Sequence, residues 1–303
     1  MFTQGLRGVI AAIITPIDAS GNPDHARLVA RARHLLATGC DGLNLLGTTG
    51  EATSFSLAQR QAIMHAVADA GLPLDQMMVG TGAASVQDAV ALAITAAELG
   101  FGAALVLPPF YYKPVTNEGI VRYIGAIVEA TAASNLPIFL YNIPGQSGVA
   151  YTAELVALLQ QTFGTRIGGL KDSSGDIAYA EQIAALLPAI RVFPSNEAVL
   201  LRAHAGDFAG CISATANLNS AHCARAYHNG DQVALDIAVS VRALFNGLPL
   251  VPGVKAVAAR LAQDATLADL MPPLTQLSDA EGAQLWQRFD ALPPASWASW
   301  AAA

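Results

Sequence analysis

The chain has 303 residues, 53% of them hydrophobic and 13% charged, with a formal net charge of -7 and an isoelectric point near 5.3. That much apolar material builds a large core and excludes disorder, and the lack of clustered Lys and Arg excludes a nucleic-acid partner. The longest apolar runs, such as GVIAAIIT at 8–15, stop well short of the roughly 18 residues a membrane span needs, so no membrane association is expected. MFTQGLRG does not look like a secretion signal. Cys40, Cys211 and Cys223 are unevenly spaced and form no CxxC pattern, which suits buried thiols in a reducing cytoplasm. The expectation is a cytoplasmic protein that works on a small molecule.

In chain order, short apolar runs alternate with Ala- and Leu-rich stretches. Strands are expected at 8–14, 41–46, 77–81, 103–107, 137–141, 167–171, 190–194 and 210–214. Helical patterns fall between them. DHARLVARARHLLATG (24–39) repeats its apolar positions every three or four residues, and SVQDAVALAITAAELG (85–100) adds a serine cap and a closing glycine. Eight strands with intervening helices are the inventory of an α/β fold of the (β/α)8 TIM barrel type. A doubly wound sheet would open with a Gly-rich turn after its first strand, and ITPIDASGNPD (14–24) has none. Residues 1–225 are therefore expected to form the barrel with the active site. Residues 226–303 are read as a C-terminal helical extension packed on it, used for packing or assembly, with PPASWASWAAA (293–303) as a loosely ordered tail.

Chemistry in such barrels sits at the C-terminal ends of the strands. Here these ends carry GTTGE (47–51), PPFYYKP (108–114), YNIPGQSG (141–148), Lys171, PSNE (194–197) and GCISATAN (210–217). Hydroxyls, tyrosines and a lysine converge, and the only other cation in these motifs is Lys113. His25, His34, His65, His204, His222 and His228 fall on expected helices or their ends, without the spacing of a metal site. No metal and no cofactor are expected.

The segment GGLKDSSGD (168–176) places one of only three lysines at the end of a buried strand. A free lysine, with a pKa of about 10.4, is less than about a thousandth neutral at pH 7. Desolvation at the top of a packed barrel can lower that pKa by up to about 3 to 5 units, enough to make the amine a nucleophile toward a carbonyl. The resulting protonated imine is an electron sink, and a nearby phenol can carry the proton. The alternative is a lysine paired with Asp172 or Asp176 at the barrel rim.

GTTGE, FYYKP, YNIPGQSG, GLKDSSGD and GCISATAN occur in this order, each at an expected strand end. With them nearly the whole chain resembles the dihydrodipicolinate synthase and N-acetylneuraminate lyase family of pyruvate-dependent aldolases and lyases. The resemblance implies that Lys171 forms a Schiff base with pyruvate or a pyruvate-yielding substrate. It implies Tyr141 as general acid and base, Thr48 as its link to a proton relay, and Tyr111 completing that relay from a neighbouring subunit, hence a homotetramer or homodimer. Gly47, Thr48 and Thr49 would hold the substrate carboxylate, and Ile212 would bring its carbonyl near the imine. Ser173, Asn196, Glu197 and Ser213 would contact the rest of the substrate. GTTGE could instead be only a tight turn, and Tyr111 and Tyr112 ordinary interface aromatics.

The chain also departs from the family's patterns. Members that make dihydrodipicolinate carry an arginine, for the second substrate's carboxylate, where this chain has Gln146, and a neutral amide cannot replace a bidentate ion pair. The sialic acid lyase branch has an acidic residue where Asn196 stands and a serine where Ala214 stands. Glu197 is retained. The expectation is a lyase or aldolase that cleaves a 2-oxo-3-deoxy sugar acid, or a related 2-oxo acid, to pyruvate and an aldehyde. Condensation of pyruvate with aspartate semialdehyde, dehydration of a sugar acid, and a barrel that binds a 2-oxo acid without turnover are the alternatives.

Overall fold

The computed structural model describes residues 5–297 and residue 300. Eight parallel strands form one sheet in the order β7-β6-β5-β4-β3-β2-β1-β8. They are β1 Gly8–Ala12, β2 Gly42–Leu45, β3 Met77–Gly80, β4 Ala103–Val106, β5 Ile138–Asn142, β6 Ile167–Asp172, β7 Arg191–Pro194 and β8 Gly210–Ser213. The sheet curls until its edges meet, where the Ala209 N–H donates to the Val192 carbonyl at 3.0 Å. This is the expected (β/α)8 barrel. Strand β1 is shorter than its apolar run because the Ile14 N–H leaves the ladder for the Asn217 side chain, at 3.2 Å.

Alternation along each strand divides the apolar residues into two sets. Ile10, Met78, Leu105, Phe139, Phe193 and Ile212 point inward and fill the barrel, while Val9, Leu43, Leu45, Val79 and Val106 point outward under the helices. Gly169, inward-facing and two residues below Lys171, is where a side chain could not fit: a Cβ there would collide with the Phe139 ring. The helix Val86–Leu99 starts on Ser85, whose hydroxyl accepts from the Asp88 N–H, and ends on Gly100 at φ 88°, a left-handed closure that glycine adopts without strain. None of the described helices is long and apolar enough to cross a membrane. All three cysteines are buried and free, and burial pushes the Cys40 thiol up to about 12.

After β8 the helix Ala216–Asn229 runs through position 225 and is followed by Gln232–Ala243, Leu250–Ala262 and Asp279–Asp290. Val241, Val254 and Leu285 from these helices, with Phe245 just past the second of them, close a second core on Ile14, Ala214 and Leu218 of the barrel. At its centre the ammonium of Lys255 meets the Glu51 carboxylate at 2.5 Å, with neither side chain exposed.

The tail corrects one expectation. Residues 294–297 form a short turn whose Trp297 stacks on Phe289, with ring centroids 4.5 Å apart. Trp300 donates its indole N–H to the Leu218 carbonyl at 2.9 Å and lies under the Arg31 guanidinium, 4.4 Å from the ring centre. Large aromatic side chains contribute enough buried area to hold a short segment down. Residues 298, 299 and 301–303 of the tail lie outside the described residues.

Candidate active site

Lys171 sits on β6 with its Cα opposite that of Tyr141 on β5. The two side chains therefore leave the sheet on the same inner face, and the lysine Nζ lies 4.3 Å from the centre of the Tyr141 ring. Both residues are 3% exposed. Neither candidate carboxylate pairs with the lysine. Asp172, the next residue, points the other way and accepts from the Asn142 amide at 2.8 Å and the Ser174 hydroxyl at 2.9 Å. Burial raises its carboxyl above the ordinary value in spite of those bonds. Asp176 caps the helix Ile177–Leu186.

The Tyr141 hydroxyl is 3.0 Å from Thr48 Oγ1. Thr48 belongs to the turn after β2, in which the Glu51 N–H donates to the Thr48 carbonyl at 3.1 Å and the Ala52 N–H to the Gly47 carbonyl at 3.3 Å. A Cβ on Gly47 would lie 2.5 Å from the Asn44 amide. Glu51 closes the turn at φ 55°, a left-handed conformation held by Lys255 on one carboxylate oxygen and by the Met271 N–H, at 2.7 Å, on the other. GTTGE is thus a tight turn and also the support of two hydroxyls at the mouth.

A cavity of about 270 Å³ opens here, lined by Thr48, Thr49, Tyr141, Gln146, Lys171, Ser173 and Ile212. A second lobe of about 300 Å³ shares Thr48, Tyr141 and Gln146 with it and is walled by Gly47, Leu105, Leu107 and Phe110. The structure therefore gathers eight of the expected site residues around one mouth. Tyr111 is 75% exposed on the loop before the helix Asn117–Ala130, edge-on to Tyr112, and lines neither lobe. Lys113 is turned onto the Phe110 carbonyl at 2.7 Å.

Three expected contacts do not reach the mouth. Asn196 is exposed and caps a turn by accepting from the Ala198 N–H. Ser213 falls on the outward side of β8, between the inward Ile212 and Ala214, and its hydroxyl donates to Glu197. Glu197 is fully buried there, also takes the Thr215 hydroxyl, and leaves its second oxygen without a protein partner. The period of two that places Ile212 in the barrel is what places Ser213 behind it.

Other residues take their places. Ser195, Arg242 and the segment Pro249, Leu250, Val251, Pro252 line the first lobe, so the C-terminal extension forms part of its wall in addition to packing on the barrel. The Arg242 guanidinium donates to the Ser195 carbonyl at 3.3 Å. Its sequence signal was a lone cation within the apolar helical run VALDIAVSVRALF.

The comparisons with known proteins identify the family and agree with the fold. A family model described as the Dihydrodipicolinate synthetase family matches residues 5–291. An uncharacterized DapA-like lyase of Chloroflexus aurantiacus is 36% identical over 288 residues, covering 92% of this chain and 94% of the relative. A 4-hydroxy-tetrahydrodipicolinate synthase of Thermosynechococcus vestitus is 31% identical over 283 residues, covering 91% and 94%. The crystal structure of dihydrodipicolinate synthase from Agrobacterium tumefaciens superposes with a TM-score of 0.87 at 29% identity, covering 94% of this chain and 99% of that one. The chain belongs to the dihydrodipicolinate synthetase family of lyases and synthases.

Proposed function

We propose that the protein is an imine-forming lyase that reversibly cleaves a 2-oxo-3-deoxy acid to pyruvate and an aldehyde, with Lys171 as nucleophile. The observation that carries this is the placement of a buried lysine without a carboxylate partner against a tyrosine that is hydrogen-bonded to Thr48. The Lys171 amine adds to the C2 carbonyl and expels water, leaving a protonated imine. As the C3–C4 bond breaks, its electron pair moves into the imine and the C4 hydroxyl passes its proton to Tyr141. The aldehyde leaves. The enamine then takes a proton at C3, and water releases pyruvate and regenerates the amine.

Thr48 and Thr49 hold the C1 carboxylate at the β2 turn, and Ile212 faces the imine from β8. Thr48 hands the Tyr141 proton onward, and Tyr111 of a neighbouring subunit completes the relay. The high exposure of Tyr111 and Tyr112 in one chain is what such a contact would cover. The active form is then a homotetramer or homodimer in the cytoplasm.

A second reading, condensation of pyruvate with aspartate semialdehyde, is favoured by the names of several relatives. At position 146, where dihydrodipicolinate-forming members carry an arginine, this chain has an amide that brings no charge of its own for that substrate's carboxylate. The discriminating experiment is a pyruvate-release assay over a panel of 2-oxo-3-deoxy acids and N-acetylneuraminate, run beside the condensation assay. Release from the panel supports the lyase, and efficient condensation without release would replace it with the synthase.

A further inference from the structure

Among the described residues, the lobe around Lys171 is lined by two basic side chains and by no Asp or Glu. The second cation is Arg242, half-buried on the helix Gln232–Ala243, and its guanidinium has one protein partner, the Ser195 carbonyl at 3.3 Å. An arginine stays charged under all ordinary conditions and presents a planar fork of donors. One long bond to a carbonyl leaves most of that fork free, and no Asp or Glu faces it across the lobe. A substrate whose only charge is a C1 carboxylate held at the β2 turn would leave Arg242 without a counter-ion.

The sheet order gives the direction in which a substrate would lie. Strand β6, which carries Lys171, stands opposite β2, four places round the eight-stranded ring in either direction, and β7 is its neighbour. A substrate with its C1 carboxylate on the β2 turn and its C2 on Lys171 extends toward the ends of β6 and β7, where Ser173, Ser195 and Arg242 line the cavity. Two serines along that path suit the hydroxyls of a sugar acid chain, and the guanidinium stands beyond them.

Resting on the lyase assignment above, we infer that Arg242 receives a second anionic group at the end of the substrate remote from C1. The group is a carboxylate or a phosphate monoester, both of which match the bidentate fork. The preferred substrate is then a 2-oxo-3-deoxy acid charged at both ends.

The test compares three substrates of equal chain length: a 2-oxo-3-deoxyhexonate ending in a free hydroxyl, its 6-phosphate, and the corresponding hexarate ending in a carboxylate. Wild-type protein is expected to show a kcat/KM at least about thirtyfold higher for one of the two doubly charged acids, the size expected for a charge-assisted bidentate contact. Which acid it favours identifies the group. Arg242→Gln should abolish that preference, and Arg242→Lys, which keeps the charge without the fork, should retain part of it. If Arg242→Gln fails to fold, the wild-type preference and the Arg242→Lys variant decide. No preference in the wild type, or an equal loss on neutral and charged acids in the variants, overturns the inference. Failure of the wild-type protein to release pyruvate from any of the three would instead count against the lyase itself.

Discussion

Lys255 and Glu51 form a fully buried ion pair, 2.5 Å between nitrogen and oxygen, that ties the helix Leu250–Ala262 to the turn carrying Thr48 and Thr49. The lysine also donates to the Thr15 carbonyl at 3.1 Å. Burial draws its ammonium below the ordinary lysine value, opposed by the Glu51 charge. Removing one partner strands the other charge in the core, at a cost of about 3 to 5 kcal/mol. Lys255→Met should therefore lower the free energy of unfolding by that amount, and Lys255→Met combined with Glu51→Gln should recover much of the loss. A single variant as stable as the wild type would mean the pair contributes no such constraint.

The bond between Tyr141 and Thr48 predicts coupled kinetics. Tyr141→Phe keeps the ring beside Lys171 and should fold normally, still trap pyruvate, and lose at least about a hundredfold in kcat. Thr48→Val should also reduce kcat. On the proposed relay the two hydroxyls act as one unit, so the double variant should lose much less than the product of the single losses. Multiplicative losses in steady-state kinetics would show that they work separately.

Asp172 supplies a pH dependence with a definite sign. Its carboxyl is raised in the folded state by burial, so over the interval between its unfolded and folded pKa the native state binds more protons than the unfolded chain. Its contribution is fully present below the unfolded value and is lost as pH rises through the folded one. Chemical denaturation of wild type and Asp172→Asn at about pH 3 and pH 7 should therefore show the wild type relatively more stable at the acidic end. An identical difference at both pH values would contradict the shift.

Trp300 tests the tail. Trp300→Ala removes a bond to the Leu218 carbonyl and the ring under Arg31, and should cost roughly 2 to 4 kcal/mol in equilibrium unfolding. A loss below about half a kcal/mol, the range of ordinary surface substitutions, would return the segment to the loose tail its composition suggested.

The strands were legible because each is a short apolar run ended by glycine or polar residues, and Lys171, Tyr141 and Thr48 because strand ends are where a barrel places its chemistry. Arg242 and Ser195 were not legible as neighbours. Ser195 follows β7 directly, while Arg242 comes from a helix about fifty residues away whose docking depends on buried side chains such as Ala238 and Val241. Glu197 and Ser213 read as site residues because they lie near strand ends, yet a one-residue step along a strand turns a side chain to the other face. Tyr111 is exposed on its loop and lines neither lobe of the cavity, so a role for it rests on the proposed subunit contact.

The central claim is that Lys171 forms the imine, and borohydride reduction in the presence of pyruvate tests it most directly. Intact-mass measurement should show one pyruvyl adduct per chain, and peptide mapping should place it on Lys171, with Lys171→Arg unlabelled. An adduct on Lys113 or Lys255, or none on the folded wild-type protein, would contradict it.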